Sequence, residues 1–429
     1  MKTTKILLKN ARLIEPVAGI DTVTDILIVD GTIESIRRRI AAGRGSAVIE
    51  MAGKLAAPGF FDMHVHLREP GFEYKETVET GCAAAAAGGF TGLACMPNTS
   101  PVIDDAAVVR YVRERSGAVC RGVVDVHPVA AVTRGREGKE LAPMIELAAA
   151  GACAFSDDGA PVADAGVMRR ALEYAAMVGR PVIQHAEELS LTRGGVMNEG
   201  LTATVLGLPG MPPVGEETMV ARDVQLVRYT RGQYHLAHVS TAGAVDLIRS
   251  ARAEGLEVSC EVTPHHFSLT DEEVRSFDTN TKMNPPLRTA DDVEAIKAAL
   301  ADGTIGAIAS DHAPHSPDDK DVEYRAAPFG IVGLETAVGL AMTVLVEPNI
   351  LSLSQLVEKF SINPRRILHL PPVTVAEGSP ANLTLLDPEA EWVVDVHRFK
   401  SKSRNSPFGG KALKGRAIGI INHGVFWEG

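Results

Sequence analysis

The residues best suited to chemistry in this sequence are two histidines separated by one valine, in the segment His64-Val65-His66. They end an apolar run that begins at Phe60, which indicates a buried strand. Because residues two apart in a strand face the same side, the two imidazole rings would project together from the strand end. Two nitrogen atoms aimed at one point are half of a metal site, and imidazole nitrogen is a common ligand of Zn²⁺.

Other histidines and acidic residues stand at the ends of further apolar runs. A single histidine of this kind is more often a hydrogen-bonded structural residue than a ligand. In a parallel α/β barrel, however, the carboxyl ends of all strands meet at one mouth. Six nitrogen and oxygen donors there would suit Zn²⁺ or a similar divalent ion and would not suit a soft thiolate site. The predicted six are His64, His66, Asp158, His185, His238 and Asp311, and Asn98, His127, Asp157 and His265 also stand near strand ends.

Strand patterns alternate with helical patterns between about residue 56 and residue 370. Several of the strand segments are apolar on both faces, as strands of a buried parallel sheet are. Eight such strands with helices between them predict an α/β fold of the (β/α)₈ TIM barrel type. The predicted strands are 56–63, 90–96, 121–127, 151–156, 180–185, 233–238, 256–262 and 305–310, and the predicted helices include 76–88, 164–179, 216–230, 241–254 and 291–301.

The two ends of the chain carry a different pattern, of short strands joined by tight turns. Near the start, two apolar runs flank the turn Asp30-Gly31, which predicts a hairpin. Similar strand patterns return after residue 372. Each end is too small to bury a good core alone. We therefore expect residues 1–55 and 372–429 to pair into one small β-sandwich domain beside a catalytic barrel formed by residues 56–371.

The composition narrows the class of protein. The 429 residues carry a formal net charge of −11, which argues against a nucleic-acid surface because phosphate binding needs clustered lysine and arginine. No signal-like start and no apolar stretch of about 18 residues occurs, which argues against a membrane protein. The five cysteines are odd in number and far apart, as is typical of reduced thiols in the cytoplasm. We expect a cytoplasmic protein that binds neither nucleic acid nor membrane.

The segments around these residues resemble those of the amidohydrolase superfamily and, within it, the family of bacterial dihydroorotases whose chain stands alone. The similarity runs nearly from end to end. A His-x-His pattern is typical of the whole superfamily, and the Arg-Glu-Pro-Gly, Asn-Pro-Pro-Leu-Arg and Asp-His-Ala-Pro-His segments narrow the resemblance to this family. The matching segments are 62–71, 96–99, 155–159, 185–187, 238–241, 262–266, 282–288, 310–315 and the tail 405–410.

The resemblance implies a Zn²⁺ centre with one or two ions. Dihydropyrimidinases, allantoinases and some dihydroorotases bridge two ions through a carbamylated lysine at the end of the fourth strand. The segment from Gly151 to Asp158 contains no lysine. By resemblance to the dihydroorotases that use aspartate, Asp158 takes the bridging place. Its neighbour Asp157 would point to the other side of the strand and is the weaker ligand candidate.

The activity that the resemblance implies is the reversible closure of N-carbamoyl-L-aspartate to L-dihydroorotate and water, a step of pyrimidine (UMP) biosynthesis. A metal-activated water would attack the ring carbonyl, and Asp311 would act as general acid and base. Arg68 offers a bidentate fork for the substrate carboxylate. By resemblance, Asn98 and His315 are further donors, and Asn284, Phe329 and Gly330 hold the edge of the ring.

Two other classes stay open at this point. A different cyclic amidase, such as a dihydropyrimidinase, hydantoinase or allantoinase, would share the barrel and the metal, although the missing lysine and Arg68 argue against it. Some dihydroorotase-like chains have lost their ligands and serve as structural partners of aspartate carbamoyltransferase, although all six ligands are present here. We expect a homodimer, which could also form a complex with the transferase. The charged segment 316–328 is either a mobile loop over the site or an ordinary solvated connection.

Overall fold

Two eight-stranded sheets organise the protein, which a computed structural model describes over residues 4–429. One sheet is parallel and forms a barrel, and the other combines strands from both ends of the chain. The strands in chain order are β1 (Lys5–Glu15), β2 (Ile20–Val29), β3 (Thr32–Arg37), β4 (Ser46–Glu50), β5 (Leu55–Pro58), β6 (Phe60–Val65), β7 (Phe90–Cys95), β8 (Asp125–Ala130), β9 (Ala154–Phe155), β10 (Val182–Gln184), β11 (Met197–Asn198), β12 (Gly210–Met211), β13 (Tyr234–Leu236), β14 (Val258–Val262), β15 (Ala307–Ile308), β16 (Leu383–Val393), β17 (Ala412–Asn422) and β18 (Val425–Glu428). The α-helices are α1 (Val78–Gly88), α2 (Ala106–Ala118), α3 (Met144–Ala150), α4 (Ala165–Met177), α5 (Leu189–Thr192), α6 (Leu201–Leu206), α7 (Val214–Thr230), α8 (Ala242–Ala253), α9 (Pro264–Ser268), α10 (Ala290–Asp302), α11 (Pro317–Lys320), α12 (Ala337–Ala341), α13 (Leu353–Val357) and α14 (Asn363–Ile367).

The barrel strands lie in the order β6, β7, β8, β9, β10, β13, β14 and β15. A bridge between Val65 and His312 closes the barrel between its first and last strands. Beside this bridge, the Asp62 carboxylate accepts hydrogen bonds from the backbone N–H groups of His64 and Ser310, at 3.1 and 3.0 Å. The buried Asp62 side chain thus accepts hydrogen bonds from two backbone N–H groups at a point where the hydrogen bonding between the strands is interrupted. The predicted (β/α)₈ barrel is confirmed.

The first predicted strand, 56–63, is divided in the structure at Gly59. The residues before it form β5, which pairs with β1 and β16 of the other sheet, and the residues after it form β6 of the barrel. A Cβ atom at Gly59 would lie 1.8 Å from Asn382 Oδ1 and 2.3 Å from Thr91 Oγ1. Only glycine fits this close approach. The chain therefore passes from one sheet into the other through a single residue.

Three of the helices that cover the barrel begin at threonine caps. Thr77, Thr241 and Thr289 accept hydrogen bonds from backbone N–H groups in the first turns of α1, α8 and α10, which pairs donors that the helix leaves free. The five predicted helices correspond to α1, α4, α7, α8 and α10, within two residues at each end. Within residues 4–429, every helix falls short of the length and apolarity that a membrane crossing requires.

The second sheet joins the two ends of the chain. Its strands are ordered β18, β17, β16, β5, β1, β2 and β3, and β4 pairs with the first half of β1. A core separate from that of the barrel includes the buried side chains of Leu8, Leu13, Ile26, Leu383 and Ile421. Residues from both ends of the sequence thus contribute to one apolar cluster. The predicted pairing of the two ends into a small β domain is confirmed.

Candidate active site

Four of the predicted ligands meet at one point of the barrel mouth. Nε2 of His64 lies 3.3 Å from Asp158 Oδ1 and 3.6 Å from Asp311 Oδ1. Nε2 of His66 lies 3.5 Å from Asp158 Oδ2 and 3.0 Å from Asp311 Oδ1. The two histidines lie at the end of β6, and the two aspartates follow β9 and β15. Two imidazole nitrogens and two carboxylates that face one another form a donor set of the kind that binds Zn²⁺.

A second group shares Asp158 with the first. Nδ1 of His185 and Nε2 of His238 lie 3.0 Å apart, at 4.0 and 3.6 Å from Asp158 Oδ1. These histidines follow β10 and β13. Each of the two groups, one with the pair His64 and His66 and one with the pair His185 and His238, is compact enough to hold a metal ion together with Asp158. A carboxylate that faces both pairs can bridge two cations.

Two donor atoms at the centre of these groups are buried without a hydrogen-bond partner in the described part of the chain. All six predicted ligand residues are buried, each with at most 7% of its surface exposed. Nε2 of His64 and Oδ1 of Asp158 make no hydrogen bond to any part of the chain that the structure describes. Unpaired buried polar atoms are costly and rare, and a bound cation would satisfy both of them. The residues present therefore fit a divalent metal ion.

The acidic members of the centre are held in the charged form. Burial raises the pKa of the Asp311 carboxyl, but the hydrogen bond with His66 and the nearby histidine charges outweigh burial and leave this pKa below its usual range. The Asp158 pKa is also lowered against burial, chiefly by His64 and His238. For His64, burial lowers the pKa, but the neighbouring carboxylates raise it well above its usual value. Ionised carboxylates are the form that coordinates a cation.

One buried carboxylate of the site is not among the predicted residues. Glu261 lies inside the barrel on β14, with its Oε1 2.6 Å from Nδ1 of His64. Its other oxygen lies 3.3 Å from Nε2 of His235, whose Nδ1 is 2.8 Å from the Ser259 hydroxyl. A carboxylate behind a metal-binding imidazole fixes the ring and keeps the proton on the far nitrogen. The signal in the sequence is a charged residue inside the apolar run of a buried strand.

A second carboxylate outside the predicted set, the partly buried Glu187, lies at the rim of the site. Its Oε2 is 3.1 Å from Nε2 of His185 and accepts a hydrogen bond of 2.9 Å from the Asn284 side-chain amide. Burial raises the pKa of Glu187, but the hydrogen bonds with His185, Thr192 and Asn284 outweigh burial and lower it to about 2. The segment His185-Ala186-Glu187 is one of those that resemble the dihydroorotase family. The Asn284 amide, which binds Glu187, lies 97 residues later in the chain, so the sequence does not indicate this contact.

A cavity of about 330 Å³ opens beside the two metal-binding groups. Its size is that of a pocket for a small molecule. The cavity brings together all the residues that the sequence predicts to bind substrate. These are Arg68, Asn98, Asn284, His315, Phe329 and Gly330, and the ligand candidates His66, Asp158, His185, His238 and Asp311 line the same space.

Arg68 presents its guanidinium group to this cavity. Its Nε donates a hydrogen bond of 3.2 Å to the Pro314 carbonyl, and its terminal nitrogens make no hydrogen bond to residues 4–429. Burial lowers the pKa of Arg68 to about 10, with Asp311 and Asp158 opposing the shift, so the group stays charged at neutral pH. A charged fork with free terminal nitrogens suits a carboxylate ligand.

His315 lines the cavity with both ring nitrogens engaged. Nε2 lies 2.8 Å from the Phe329 carbonyl oxygen, and Nδ1 lies 3.2 Å from Lys75 Nζ. Because a carbonyl accepts and an ammonium donates, the ring donates from Nε2 and accepts at Nδ1. Burial, together with the charge of Arg68, lowers the pKa of His315 to about 3. Donation to a substrate carboxylate would require His315 to give up one of these contacts.

Asn405, which follows the barrel in sequence, ties two walls of the cavity together. Its Oδ1 accepts a hydrogen bond of 3.1 Å from the backbone N–H of His315. Its Nδ2 donates to the carbonyl oxygens of Ala313 and Gly330, at 3.1 and 3.0 Å. The wall formed by residues 313–330 is therefore held in place by a side chain from outside the barrel.

The charged segment 316–328 is anchored by two lysines. Lys320 Nζ donates to the carbonyls of Thr279 and Pro328, at 3.0 and 2.8 Å. Lys282 Nζ donates to the Tyr324 carbonyl, at 3.0 Å. Carbonyl oxygens compensate the cost of burying an ammonium group. In this structure the segment is held against residues 279–282 as part of the cavity wall.

Three residues of the site have a left-handed backbone although none is glycine. The φ angles are 61° at Arg68, 34° at His238 and 46° at Asp311. Residues with side chains adopt this conformation rarely, and it is concentrated at functional sites. Each of the three follows a barrel strand, where the chain turns at the mouth. No pattern of apolar residues indicates such a turn.

His127 does not reach the barrel mouth. The third barrel strand runs from Asp125 to Ala130, so the end predicted at residue 127 is wrong and His127 lies inside the strand. Its ring packs against the ring of Phe61, with centroids 5.5 Å apart. The apolar residues that follow His127 continue the strand, which places the side chain away from both metal-binding groups.

Asp157 and His265 also stay outside the metal-binding groups. The Asp157 carboxylate accepts a hydrogen bond of 3.0 Å from the backbone N–H of Thr133 and another from its hydroxyl, away from Asp158 as predicted. His265 lies in the first turn of α9 with its ring 4.5 Å from that of His266. Burial lowers the pKa of His265 to about 4, so it is neutral at pH 7.

The chain is similar to known proteins over nearly its whole length. A family model described as dihydro-orotase-like matches residues 53–244. The chain is 53% identical over 411 residues to a dihydroorotase of Pelotomaculum thermopropionicum, covering 96% of this chain and 95% of that protein. It is 52% identical over 416 residues to a dihydroorotase of Pelobacter propionicus, covering 97% of each. Its fold matches that of an L-hydantoinase (dihydropyrimidinase) from Arthrobacter aurescens with a TM-score of 0.87 and 26% identity, over 98% of this chain and 95% of that one.

Proposed function

Because this chain belongs to the dihydroorotase family, we propose that it closes N-carbamoyl-L-aspartate to L-dihydroorotate with loss of water, and hydrolyses L-dihydroorotate in reverse, in the synthesis of UMP. The observation that carries this proposal is the position of Arg68. Its free guanidinium nitrogens line the same cavity as the two histidine groups that share Asp158. A hydrolytic centre next to the fixed positive charge of Arg68 fits a substrate that is a cyclic amide and carries a carboxylate.

The proposed metal is Zn²⁺, in one or two ions per chain. The donor set supports this choice, because four imidazole nitrogens with carboxylate oxygens suit Zn²⁺ better than harder cations that prefer oxygen alone. Bound there, Zn²⁺ lowers the pKa of a bound water toward about 7 and polarises the carbonyl group that is attacked. The proposed ligands are His64, His66, His185, His238, Asp158 between the two pairs, and Asp311.

Asp311 is the residue proposed for proton transfer. Its Oδ1 lies 3.0 Å from Nε2 of His66 and 3.6 Å from Nε2 of His64, so a water on a metal ion held by these histidines would lie beside it. In hydrolysis, Asp311 takes a proton from the water as the new C–O bond forms. It returns this proton to the ring nitrogen as the C–N bond breaks. In ring closure the same steps run backwards, and the carboxyl group delivers the proton to the departing oxygen.

The other side chains of the cavity are proposed to hold the substrate. Arg68 would bind the carboxylate through two parallel hydrogen bonds, and the Asn98 amide would add a donor. These contacts orient the ring so that its reacting carbonyl faces the proposed metal ligands. The edge of the ring is assigned to Asn284 and to the backbone of Phe329 and Gly330, with His315 beside them.

We further propose a homodimer, which could also form a complex with aspartate carbamoyltransferase. Three exposed apolar side chains on the adjacent helices α4 and α7, those of Tyr174, Met177 and Tyr229, support a subunit contact there. The proposed location is the cytoplasm, which the five free cysteine thiols support. The proposed domain limits are 1–55 with 372–429 for the β domain and 56–371 for the catalytic barrel.

The proposed function is tested by metal analysis of the purified protein together with a spectrophotometric assay on L-dihydroorotate, hydantoin and allantoin. We expect bound zinc, turnover of L-dihydroorotate in preference to the other two compounds, and loss of turnover after chelation that added Zn²⁺ restores. Hydantoin is the sharpest competitor, because the fold is shared with an L-hydantoinase. Preference for hydantoin or allantoin would overturn the proposal.

A further inference from the structure

Glu187 connects a proposed metal ligand with a proposed substrate contact. One oxygen, Oε2, lies 3.1 Å from Nε2 of His185 and 2.9 Å from Nδ2 of Asn284. The other, Oε1, accepts a hydrogen bond from the Thr192 hydroxyl. Both oxygens are therefore used within the protein, and Glu187 itself has little capacity left for a ligand. Its contacts suit a residue that positions other groups.

The chemistry of the carboxylate determines how the Asn284 amide is turned. An ionised carboxylate only accepts hydrogen bonds, so Asn284 must direct its NH₂ group toward Glu187. Its carbonyl oxygen makes no hydrogen bond to the residues that the structure describes, and Asn284 lines the cavity. Asn284 thus offers the cavity a hydrogen-bond acceptor.

The Asn98 amide is turned the opposite way. Its Oδ1 lies 2.8 Å from Nδ1 of His66. In the proposed metal-bound form, Nε2 of His66 is a ligand and carries no proton, so the proton of the ring is on Nδ1 and Asn98 accepts it. The NH₂ group of Asn98 is left as a donor to the cavity, which the free donors of Arg68 also line. The lining of the cavity therefore offers donors, from Asn98 and Arg68, and an acceptor, from Asn284.

We propose that Glu187 is a positioning residue that determines which edge of the substrate ring the enzyme accepts. This inference rests on the proposed function, in which the substrate presents a carboxylate at one end and ring N–H groups elsewhere. By holding the Asn284 amide, Glu187 directs the carbonyl oxygen to a ring N–H. By accepting from His185 Nε2, the same carboxylate keeps a proton on that nitrogen and leaves Nδ1, which lies beside His238 and Asp158, as the nitrogen for the proposed metal ion.

The inference is tested with Glu187→Ala and Glu187→Gln, each in the wild-type chain and in an Asn284→Ala background. Glu187→Ala should raise KM for L-dihydroorotate about tenfold, the loss expected when one hydrogen bond no longer orients the amide. Glu187→Gln should recover most of this loss, because its amide oxygen can accept from Asn284 and His185 while its NH₂ group donates to the Thr192 oxygen. In the Asn284→Ala background, Glu187→Ala should change KM less than about twofold.

The neighbouring Glu188 provides the matched control. Its carboxylate caps α5 by accepting from the Ser190 N–H, so Glu188→Ala should leave KM within about twofold of wild type. Equal effects of Glu187→Ala in both backgrounds, or a Gln variant as impaired as the Ala variant, would overturn the positioning role. A wild-type protein without dihydroorotase turnover would instead overturn the proposed function, and the inference with it.

Discussion

Glu261 holds His64 from inside the barrel, with 2.6 Å between the carboxylate oxygen Oε1 and Nδ1 of the ring. The same carboxylate is 3.3 Å from Nε2 of His235, and both side chains are fully buried. An acceptor at Nδ1 keeps a proton on that nitrogen, so that Nε2, which lies beside Asp158, is the nitrogen that would bind a metal ion. The metal centre is therefore supported by a polar contact in the interior of the barrel.

Glu261→Gln should weaken metal binding. The amide keeps the shape but replaces a charged acceptor with a weaker one, and loss of such a partner costs about 10- to 100-fold in metal affinity. Competition with a chelator of known affinity measures the effect. Glu257→Gln, at an exposed position just before the same strand, is the control. Equal affinities for wild type and Glu261→Gln would contradict the role of Glu261.

Arg68→Lys should separate substrate binding from metal binding. Lysine keeps the positive charge but loses the planar fork that binds a carboxylate with two hydrogen bonds. We expect kcat/KM for L-dihydroorotate to fall at least about tenfold, with unchanged zinc content. The exposed Arg134, changed to Lys, controls for the substitution itself. An unchanged kcat/KM in Arg68→Lys would assign carboxylate recognition to another residue.

Asp311→Asn should reduce turnover in both directions by about 10²-fold or more, even with metal bound, because an amide cannot accept the proton of the water. For the wild-type enzyme, hydrolysis needs the ionised carboxylate and should rise with pH, whereas ring closure needs the protonated form and should fall. The apparent pKa belongs to the coupled centre as a whole. Progress curves from both substrates across pH 6 to 9 test this, with zinc content measured in parallel. Near-normal rates in metal-loaded Asp311→Asn would refute the assignment.

His127→Gln should reduce the decrease in the free energy of unfolding that mild acid causes. Burial lowers the pKa of His127 to about 4, below the value near 6.5 in an unfolded chain. As the pH falls from about 6.5 toward 4, the unfolded chain takes up a proton that the folded protein does not, so the free energy of unfolding decreases. The variant lacks this contribution and should show a shallower decrease.

Urea denaturation of the metal-free proteins at several pH values between about 7 and 4.5 measures that decrease. The same substitution at the exposed His397 serves as the control for the loss of one histidine. Parallel curves for wild type and His127→Gln across this range would show that His127 does not titrate differently in the folded protein.

The architecture and the convergence of the six ligand candidates follow from local patterns in the sequence. An apolar run predicts a buried strand, and the polar residue after it predicts what stands at the barrel mouth. This reasoning needs no knowledge of which strands are neighbours. It fails at His127, where the apolar run continues beyond the predicted end of the strand. It also fails at Gly59, where a single apolar run is divided between two strands of different sheets.

Such patterns do not predict which side chains meet across the barrel. Glu261 and His64 stand 197 residues apart in the chain, and Glu187 and Asn284 stand 97 residues apart. Alternation indicates the face of its own strand on which a side chain lies, but not which side chain it meets. The same patterns do not predict the left-handed backbone at Arg68 and Asp311, because that conformation depends on the turns at the barrel mouth and on the groups packed around them.

The hydrogen bonds of Asn405 have a consequence for the synthesis of the protein on the ribosome. Translation proceeds from the first residue onward, so all six metal-binding candidates leave the ribosome before residue 405. Until that residue arrives, the segments that carry His315 and Gly330 lack the side chain that holds them together. The wall that faces the substrate is thus the last part of the site to be secured in a newly made chain.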